Sequence, residues 1–205
     1  MSTKQTIAII GASGNMGAAI AKRLAQGNYR LLLCSAELGK VQAVIDSIRS
    51  KDPLADIEAI GCSAEASWEA DIIISAVPYL GEKEVAERIR TYANQKIVIS
   101  ISNPLSEINI GPITEASTSA AEELQQLLPH SKVVKAFSTT LPADFTSSFL
   151  DRKEVDVFIT GNDEEALQTA SELVSTAGFS PIIAGDLSVS RTFEKHAVFA
   201  AGAWH

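Results

Sequence analysis

Residues 6–25 read TIAIIGASGNMGAAIAKRLA: an apolar run, a glycine-rich turn and an apolar-periodic segment in succession. The run at 6–10 predicts a buried strand, and the periodic segment at 16–26 predicts a helix. Gly11, Gly14 and Gly17 lie where the chain must turn tightly and where an anion can approach backbone N–H groups at a helix N-terminus. The stretch therefore predicts a strand–turn–helix unit whose turn is either purely structural or a phosphate-binding loop.

The same alternation of apolar runs and helical segments continues along the chain. Further runs lie at 30–34, 57–62, 71–77, 96–101, 132–137, 155–160 and 179–184. Such runs are typical of strands buried on both faces of a parallel sheet that helices cover. Right-handed crossovers would wind these units into a doubly wound α/β fold of the NAD(P)-binding Rossmann type, with a mostly parallel sheet of about eight strands.

Helical periodicity between the runs predicts further helices, at 38–49, 81–93 and 191–200. Two more helices are predicted by capping boxes. Ser119 precedes Glu122 by three residues, and Asn162 precedes Glu165 by the same spacing.

The composition is that of a globular protein without a nucleic-acid or membrane partner. The 205 residues are 46% hydrophobic and 20% charged with a formal net charge of −8, and no basic stripe offers a site for a phosphate backbone. No apolar stretch reaches the roughly 20 residues of a membrane span, and we expect no signal peptide. Cys34 and Cys62 follow no metal-ligand spacing, so we expect both to be reduced packing residues of a cytoplasmic protein.

The position of the glycine loop favours phosphate binding over a purely structural turn. The loop follows the first predicted strand and opens the first helix in a chain of βαβ units. Irregular segments at 102–118 and 138–151 follow later strands, at the edge where an open α/β sheet binds its ligand. We therefore expect one dinucleotide-binding domain that spans residues 1–205.

The residues after the second strand bear on the choice between NAD and NADP. Ser35 could donate to a 2′-phosphate and Lys40 could neutralise it. Glu37 would repel a phosphate and could instead accept from ribose hydroxyls. All three residues also suit a solvated helix start, so the residues alone leave NAD and NADP open.

The sequence resembles a known family across nearly its whole length. The matching motifs are IIGASGNMG (9–17), DIIISAVPY (71–79), KIVISISNP (96–104), VVKAFSTTLPADF (133–145), VFITGND (157–163) and GFSPIIAGDLSVSR (178–191). They are similar to the NADPH-dependent reductases of the deazaflavin coenzyme F420 and to the cytoplasmic reductase domains of the STEAP metalloreductases. The resemblance implies an oxidoreductase that transfers hydride between NADP or NAD and a small-molecule acceptor, a flavin or coenzyme F420.

The resemblance also implies which residues bind the cofactor. The pyrophosphate would lie on the first loop, and the nicotinamide side would lie against the ends of three later strands. By motif match the loop residues are Gly11, Ser13, Gly14, Asn15 and Met16, and the wall residues are Ala76, Val77, Pro78, Asn103, Pro104, Ala136, Phe137 and Ser138. In the family an Arg usually follows the NADP-binding Ser. Here Ala36 follows Ser35, which leaves Lys40 as the substitute cation.

Several of these positions also have structural explanations. Residues 75–78 could simply end a buried strand, where Pro is common, and Phe137 could be a core aromatic residue. Thr139 and Thr140 are more typical of a turn than of a ligand contact.

We expect no catalytic side chain, because hydride transfer between stacked rings needs orientation rather than a protein acid or base. His130, His196 and His205 accordingly fall in no catalytic pattern. One alternative is a non-catalytic NAD(P)-binding sensor or scaffold. Another is a short relative of the β-hydroxyacid or pyrroline-carboxylate reductases that depends on Lys195. We expect the C-terminal extension to form the acceptor side, with residues 197–204 in a homodimer contact.

Overall fold

A computed structural model describes residues 4–104, 117–140, 145 and 155–195. Its strands are β1 Gln5–Ile10, β2 Tyr29–Cys34, β3 Ile57–Ile60, β4 Ile72–Ser75, β5 Ile97–Ser100, β6 Lys132–Lys135, β7 Asp156–Gly161 and β8 Ser180–Gly185. They form one sheet in the order β3-β2-β1-β4-β5-β6-β7-β8. Neighbours are parallel except β6 and β7, which are antiparallel. Each apolar run predicted as a strand is confirmed, as is the mostly parallel α/β sheet.

The helices are α1 Asn15–Leu24, α2 Leu38–Arg49, α3 Ser63–Glu69, α4 Tyr79–Ile89, α5 Ala120–Leu127 and α6 Glu164–Thr176. A 3-10 turn at Leu187–Val189 leads into helical residues 190–195, and the rest of the helix predicted at 191–200 lies outside the described residues. Within the described ranges, no helix has the length and apolar character needed to cross a bilayer. Helix α3 was not predicted, because seven residues are too few for a helical period to be distinguished.

Helices cover both faces of the sheet. Apolar residues of α1, α2 and α6 pack on one face, against strand residues that include Ile7 and Ile74. Those of α3, α4 and α5 pack on the other face, against Ile73 and Val98. Successive residues of a strand point to opposite faces. Because the strands are nearly continuously apolar, both faces of the sheet offer apolar side chains for helices to cover. The doubly wound arrangement is confirmed.

The start of α5 is capped as predicted, but the start of α6 is capped by a different residue. The Ser119 hydroxyl accepts a hydrogen bond from the Glu122 N–H at 3.2 Å. At α6 the prediction of Asn162 is wrong, because the Asp163 carboxylate accepts from the Ala166 N–H at 2.9 Å. The Asn162 side chain instead accepts from the Leu187 N–H at 3.0 Å, and so ties the turn after β7 to the 3-10 turn.

The two cysteines lie in different environments, although both are free. Cys34 ends β2 and is 3% exposed, whereas Cys62 is exposed at the start of α3. The expectation that both are packing residues is therefore wrong for Cys62. Burial, with smaller contributions from Cys62 and Glu65, raises the pKa of the Cys34 thiol to about 11.

This difference predicts selective thiol labelling of the folded protein. At about pH 8 a disulfide reagent should react rapidly with Cys62 alone, because Cys34 is buried and protonated. Denaturation should expose the second thiol. The measurement is a titration of thiols per chain before and after denaturant, with Cys62→Ser as the control that removes the fast phase. Two fast thiols in the folded protein would contradict the burial of Cys34.

Candidate functional site

The sheet topology brings the predicted site residues to one edge. Strands β2, β1, β4, β5 and β6 are consecutive neighbours and run parallel, so their carboxyl ends lie side by side. Residues 35, 11–16, 76–78, 103–104 and 136–138 follow these ends in that spatial order. These five segments thus form one continuous edge of the site, which we call the rim.

Two of the loop glycines are required by packing. Gly11 has a φ of +91°, and a Cβ there would lie 2.4 Å from the Ala76 carbonyl oxygen. A Cβ at Gly17 would lie 2.4 Å from the Gly11 carbonyl oxygen. These contacts press the loop against the end of β4 and press α1 against the loop, so neither position accepts a larger residue without backbone movement.

Gly14 has a different role, because it leaves the start of α1 open. It is the exposed N-cap of a ten-residue helix, and it supplies no side-chain cap. The first turn of α1 contains no acidic residue. Backbone N–H groups at a helix start carry partial positive charge and need acceptors. The neighbouring Ser13, Asn15 and Met16 therefore surround a position suited to an anion.

Hydrogen bonds connect this loop to the end of β2. The hydroxyl oxygens of Ser13 and Ser35 are 2.7 Å apart, and the Ser35 hydroxyl also accepts from the Glu37 N–H at 3.2 Å. Lys40 Nζ lies 2.6 Å from Glu37 Oε2, and both side chains are exposed. The structure thus brings together Ser35, Glu37 and Lys40. The cation of this group, Lys40, is paired to the Glu37 carboxylate.

The opposite end of the rim contains buried polar atoms without partners. Asn103 Nδ2 donates to the Ser138 carbonyl at 2.6 Å, which joins the ends of β5 and β6. Asn103 Oδ1 and Thr140 Oγ1 are buried and have no hydrogen-bond partner among the described residues. Buried polar atoms are normally paired, so these two indicate a place where a ligand or water supplies hydrogen bonds.

Phe137 occupies the core rather than the rim. It is 3% exposed, and its ring lies 6.0 Å from that of Phe179 and 5.9 Å from that of Phe145, measured between centroids. Any contact between Phe137 and a ligand would therefore come from its backbone. Its φ of 57° is unusual for a bulky residue, and the Thr140 N–H donates to its carbonyl in the turn expected there.

Four buried charged residues were not identified from the sequence, namely Arg23, Glu82, Lys135 and Glu194. Lys135 gave the one available signal, because it interrupts the apolar run of β6. Of the three histidines considered from the sequence, only His130 lies among the described residues. His130 is exposed near the amino end of β6. In the part of the chain that the structure covers, no group of His, Cys, Asp or Glu is arranged to hold a metal ion.

Known proteins resemble this chain in both sequence and structure. A family model described as NADP oxidoreductase coenzyme F420-dependent matches residues 6–104. The F420-dependent NADP reductase of Methanocaldococcus jannaschii is 32% identical over 197 residues, which cover 92% of this chain and 87% of the relative. The metalloreductase STEAP3 of Rattus norvegicus is 26% identical over 191 residues, which cover 92% of this chain but only 35% of the relative.

Solved structures extend the similarity at the level of the fold. The crystal structure of a putative F420-dependent NADP reductase from Arthrobacter sp. FB24 has a TM-score of 0.81 at 20% identity, covering 98% of this chain and 92% of that one. A pyrroline-5-carboxylate reductase from Coxiella burnetii has a TM-score of 0.63 at 16% identity, and the match covers 60% of its length. The 32% identity to the M. jannaschii enzyme over 92% of this chain, together with the family model, shows that the chain belongs to the F420-dependent NADP reductase family of oxidoreductases.

Proposed function

We propose that this protein transfers hydride between NADP(H) and the deazaflavin coenzyme F420 at the carboxyl edge of its sheet. Its relatives are named for this pair of compounds. The observation that carries the proposal is the distribution of unpaired groups along the rim. An uncapped helix start lies at one end, and the buried, unpartnered Asn103 Oδ1 and Thr140 Oγ1 lie at the other.

The first loop suits the pyrophosphate of the cofactor. The start of α1 offers backbone N–H groups and a positive helix end, and Gly14 places no side chain over them. The Ser13 hydroxyl is held beside it by Ser35. We therefore assign the pyrophosphate to Gly11, Ser13, Gly14, Asn15 and Met16.

The far part of the rim suits the nicotinamide. Asn103 is oriented by its donor bond to Ser138, which leaves Oδ1 free to accept from a carboxamide NH2 group. The wall on either side is formed by residues at the ends of β4, β5 and β6. We assign this role to Ala76, Val77, Pro78, Pro104, Ala136 and Ser138, with Phe137 acting through its backbone.

In this proposal the protein binds and orients, and the two cofactors carry the reaction. Bound there, the nicotinamide would supply hydride to the deazaflavin ring or take it up. Asn103 would hold its carboxamide. The mostly apolar wall around Val77, Pro78 and Pro104 excludes water from that face. Full reduction of the deazaflavin also takes up one proton, which solvent can supply at the exposed edge of the sheet, so no side chain of the rim is required to hold or move it.

The C-terminal segment is proposed to complete the acceptor side of one domain spanning residues 1–205. Residues 196–205 lie outside the described part of the chain, so the homodimer contact predicted at 197–204 stays a prediction. The cytoplasmic location also stays a prediction, and the unpaired state of both cysteines supports it.

The test of this function is single-turnover oxidation of NADPH with a panel of acceptors. We expect oxidation with coenzyme F420, with one deazaflavin reduced per NADPH consumed, and slower reaction with FMN, FAD or ferric chelates. Fast reaction with a flavin and none with the deazaflavin would show that the acceptor is a flavin instead of coenzyme F420. NADPH binding without transfer to any acceptor would favour a sensor or scaffold instead.

A carboxylate at position 14 should separate helix stability from cofactor binding. Gly14→Asp supplies an N-cap and should keep or increase the stability of α1. The same carboxylate should repel the pyrophosphate and weaken NADPH binding by on the order of tenfold or more. Titration of NADPH fluorescence and a thermal melt measure the two effects. Asn28→Asp, which adds the same charge at the exposed turn before β2, should change neither.

The Lys40–Glu37 pair should set the preference between NADPH and NADH. Lys40→Met should weaken NADPH binding by about five- to tenfold, because a charge-assisted contact to the 2′-phosphate is lost. Glu37→Gln should strengthen NADPH binding, because Lys40 is released from the carboxylate and the repulsion disappears. Lys40→Met should leave the affinity for NADH nearly unchanged, and Glu37→Gln should not raise it, because the carboxylate is suited to accept from the ribose hydroxyls. Lys51→Met, beyond the far end of α2, is the matched control, and an equal loss there would contradict a specific role for Lys40.

A further inference from the structure

A row of buried polar residues crosses four neighbouring strands beneath the rim. Ser75 of β4 pairs in register with Ser100 of β5, Ser100 pairs with Lys135 of β6, and Lys135 pairs with Thr160 of β7. Each of the four is at most 1% exposed. In β4, β5 and β6 the residues two positions earlier belong to the core under α3, α4 and α5, so the row faces those helices.

Lys135 is the only charged member of this row, and its ammonium group is held from two directions. Nζ donates to the Ser102 carbonyl, two residues beyond the end of β5, and lies 2.8 Å from Glu194 Oε1. The Glu194 carboxylate also accepts from the N–H groups of Ala120 at 2.8 Å and Ala121 at 3.3 Å. Lys135 therefore connects the end of β5 to a carboxylate fixed by the start of α5.

A second buried carboxylate, that of Glu82, has a different hydrogen-bond partner. Glu82 of α4 is 4% exposed and accepts from the Ser100 hydroxyl at 2.8 Å. Burial raises the pKa of Glu82, although Lys135 opposes the shift. Glu82 thus takes up a proton more readily than an ordinary carboxyl group, and Lys135 and Glu194 form the charge-balanced pair of the cluster.

The contact between Lys135 and Ser102 leads directly to the rim. Asn103 follows Ser102 in sequence, and its side chain donates back to the Ser138 carbonyl at the end of β6. The ends of β5 and β6 are thus joined twice. Lys135 reaches from β6 to the backbone beyond β5, and Asn103 reaches from beyond β5 to the backbone beyond β6.

We propose that Lys135 is a positioning residue for the nicotinamide half of the site. Lys135 holds Asn103 in place through the Ser102 carbonyl and is itself anchored by Glu194. The inference rests on the proposed function, because that proposal locates the nicotinamide at Asn103. Loss of the lysine releases the Ser102 carbonyl and lets the Asn103 amide move. The adenosine half of the site, on α1 and the end of β2, shares none of these contacts.

The test compares two ligands in a variant that lacks the Lys135–Glu194 ion pair. The double variant Lys135→Met with Glu194→Gln removes the ion pair without stranding either partner. We expect 2′,5′-ADP, which occupies the adenosine half alone, to bind as it does to the wild-type protein. Hydride transfer from NADPH in a single turnover should fall on the order of 10- to 100-fold, and the fluorescence of bound NADPH should change. The variant Lys132→Met on the same strand, where Lys132 pairs with Glu165 near the other edge, should change neither measurement.

Each outcome decides between a positioning role and a structural one. Wild-type hydride transfer in the double variant would overturn the proposal, because packing alone would then suffice. Loss of 2′,5′-ADP binding would also overturn it, because the role would be structural. If the wild-type protein binds NADPH but reduces no deazaflavin, the proposed acceptor is wrong, and the fluorescence of bound NADPH still tests Lys135. A wild-type protein that binds neither ligand overturns the proposed function itself.

Discussion

The close contact between the first loop and the end of β4 is the constraint on which the site depends. A Cβ at Gly11 would lie 2.4 Å from the Ala76 carbonyl oxygen, and the Ala76 N–H donates to the Ile10 carbonyl at 2.8 Å. Only a residue without a side chain, in a left-handed conformation, lets two adjacent strands end this close together. The start of α1 is thereby held beside the end of β4. The rim is continuous because this first contact is tight.

The chemistry available at the rim comes mainly from backbone groups and from amide or hydroxyl side chains. This agrees with a reaction in which the cofactors supply the redox groups and the protein supplies geometry. Charged side chains are instead buried beneath the rim, where Lys135 and Glu194 are 1% and 2% exposed. A buried pair of this kind contributes little net stability over apolar packing, but removal of one partner typically destabilises a protein by about 3–5 kcal/mol. The pair contacts the backbone that leads to the rim, because Lys135 donates to the Ser102 carbonyl.

The strands and most helices could be predicted from the sequence because both faces of the sheet are buried, which makes the strands continuously apolar. The rim residues could be predicted by their match to the family's motifs, and their common edge could be predicted because each segment follows a strand. The cap of α6 was assigned to the wrong residue because Asn162 and Asp163 are adjacent and both suit an N-cap, and only tertiary contacts assign Asn162 to Leu187. The partners of Lys135 lie on separate elements, so no local pattern in the sequence relates them.

Phe137 shows how these parts act together. Its left-handed backbone costs about 1–3 kcal/mol, and it persists because the ring is fixed between Phe179 and Phe145. This conformation turns the chain sharply after β6, so that the Ser138 carbonyl meets the Asn103 amide at 2.6 Å. The aromatic cluster on one face of the sheet and the Lys135 cluster on the other therefore restrain the same pair of strand ends. A ring that must be held at a fixed distance from a second ring needs a wall restrained from both faces, since movement of either strand end would change that distance.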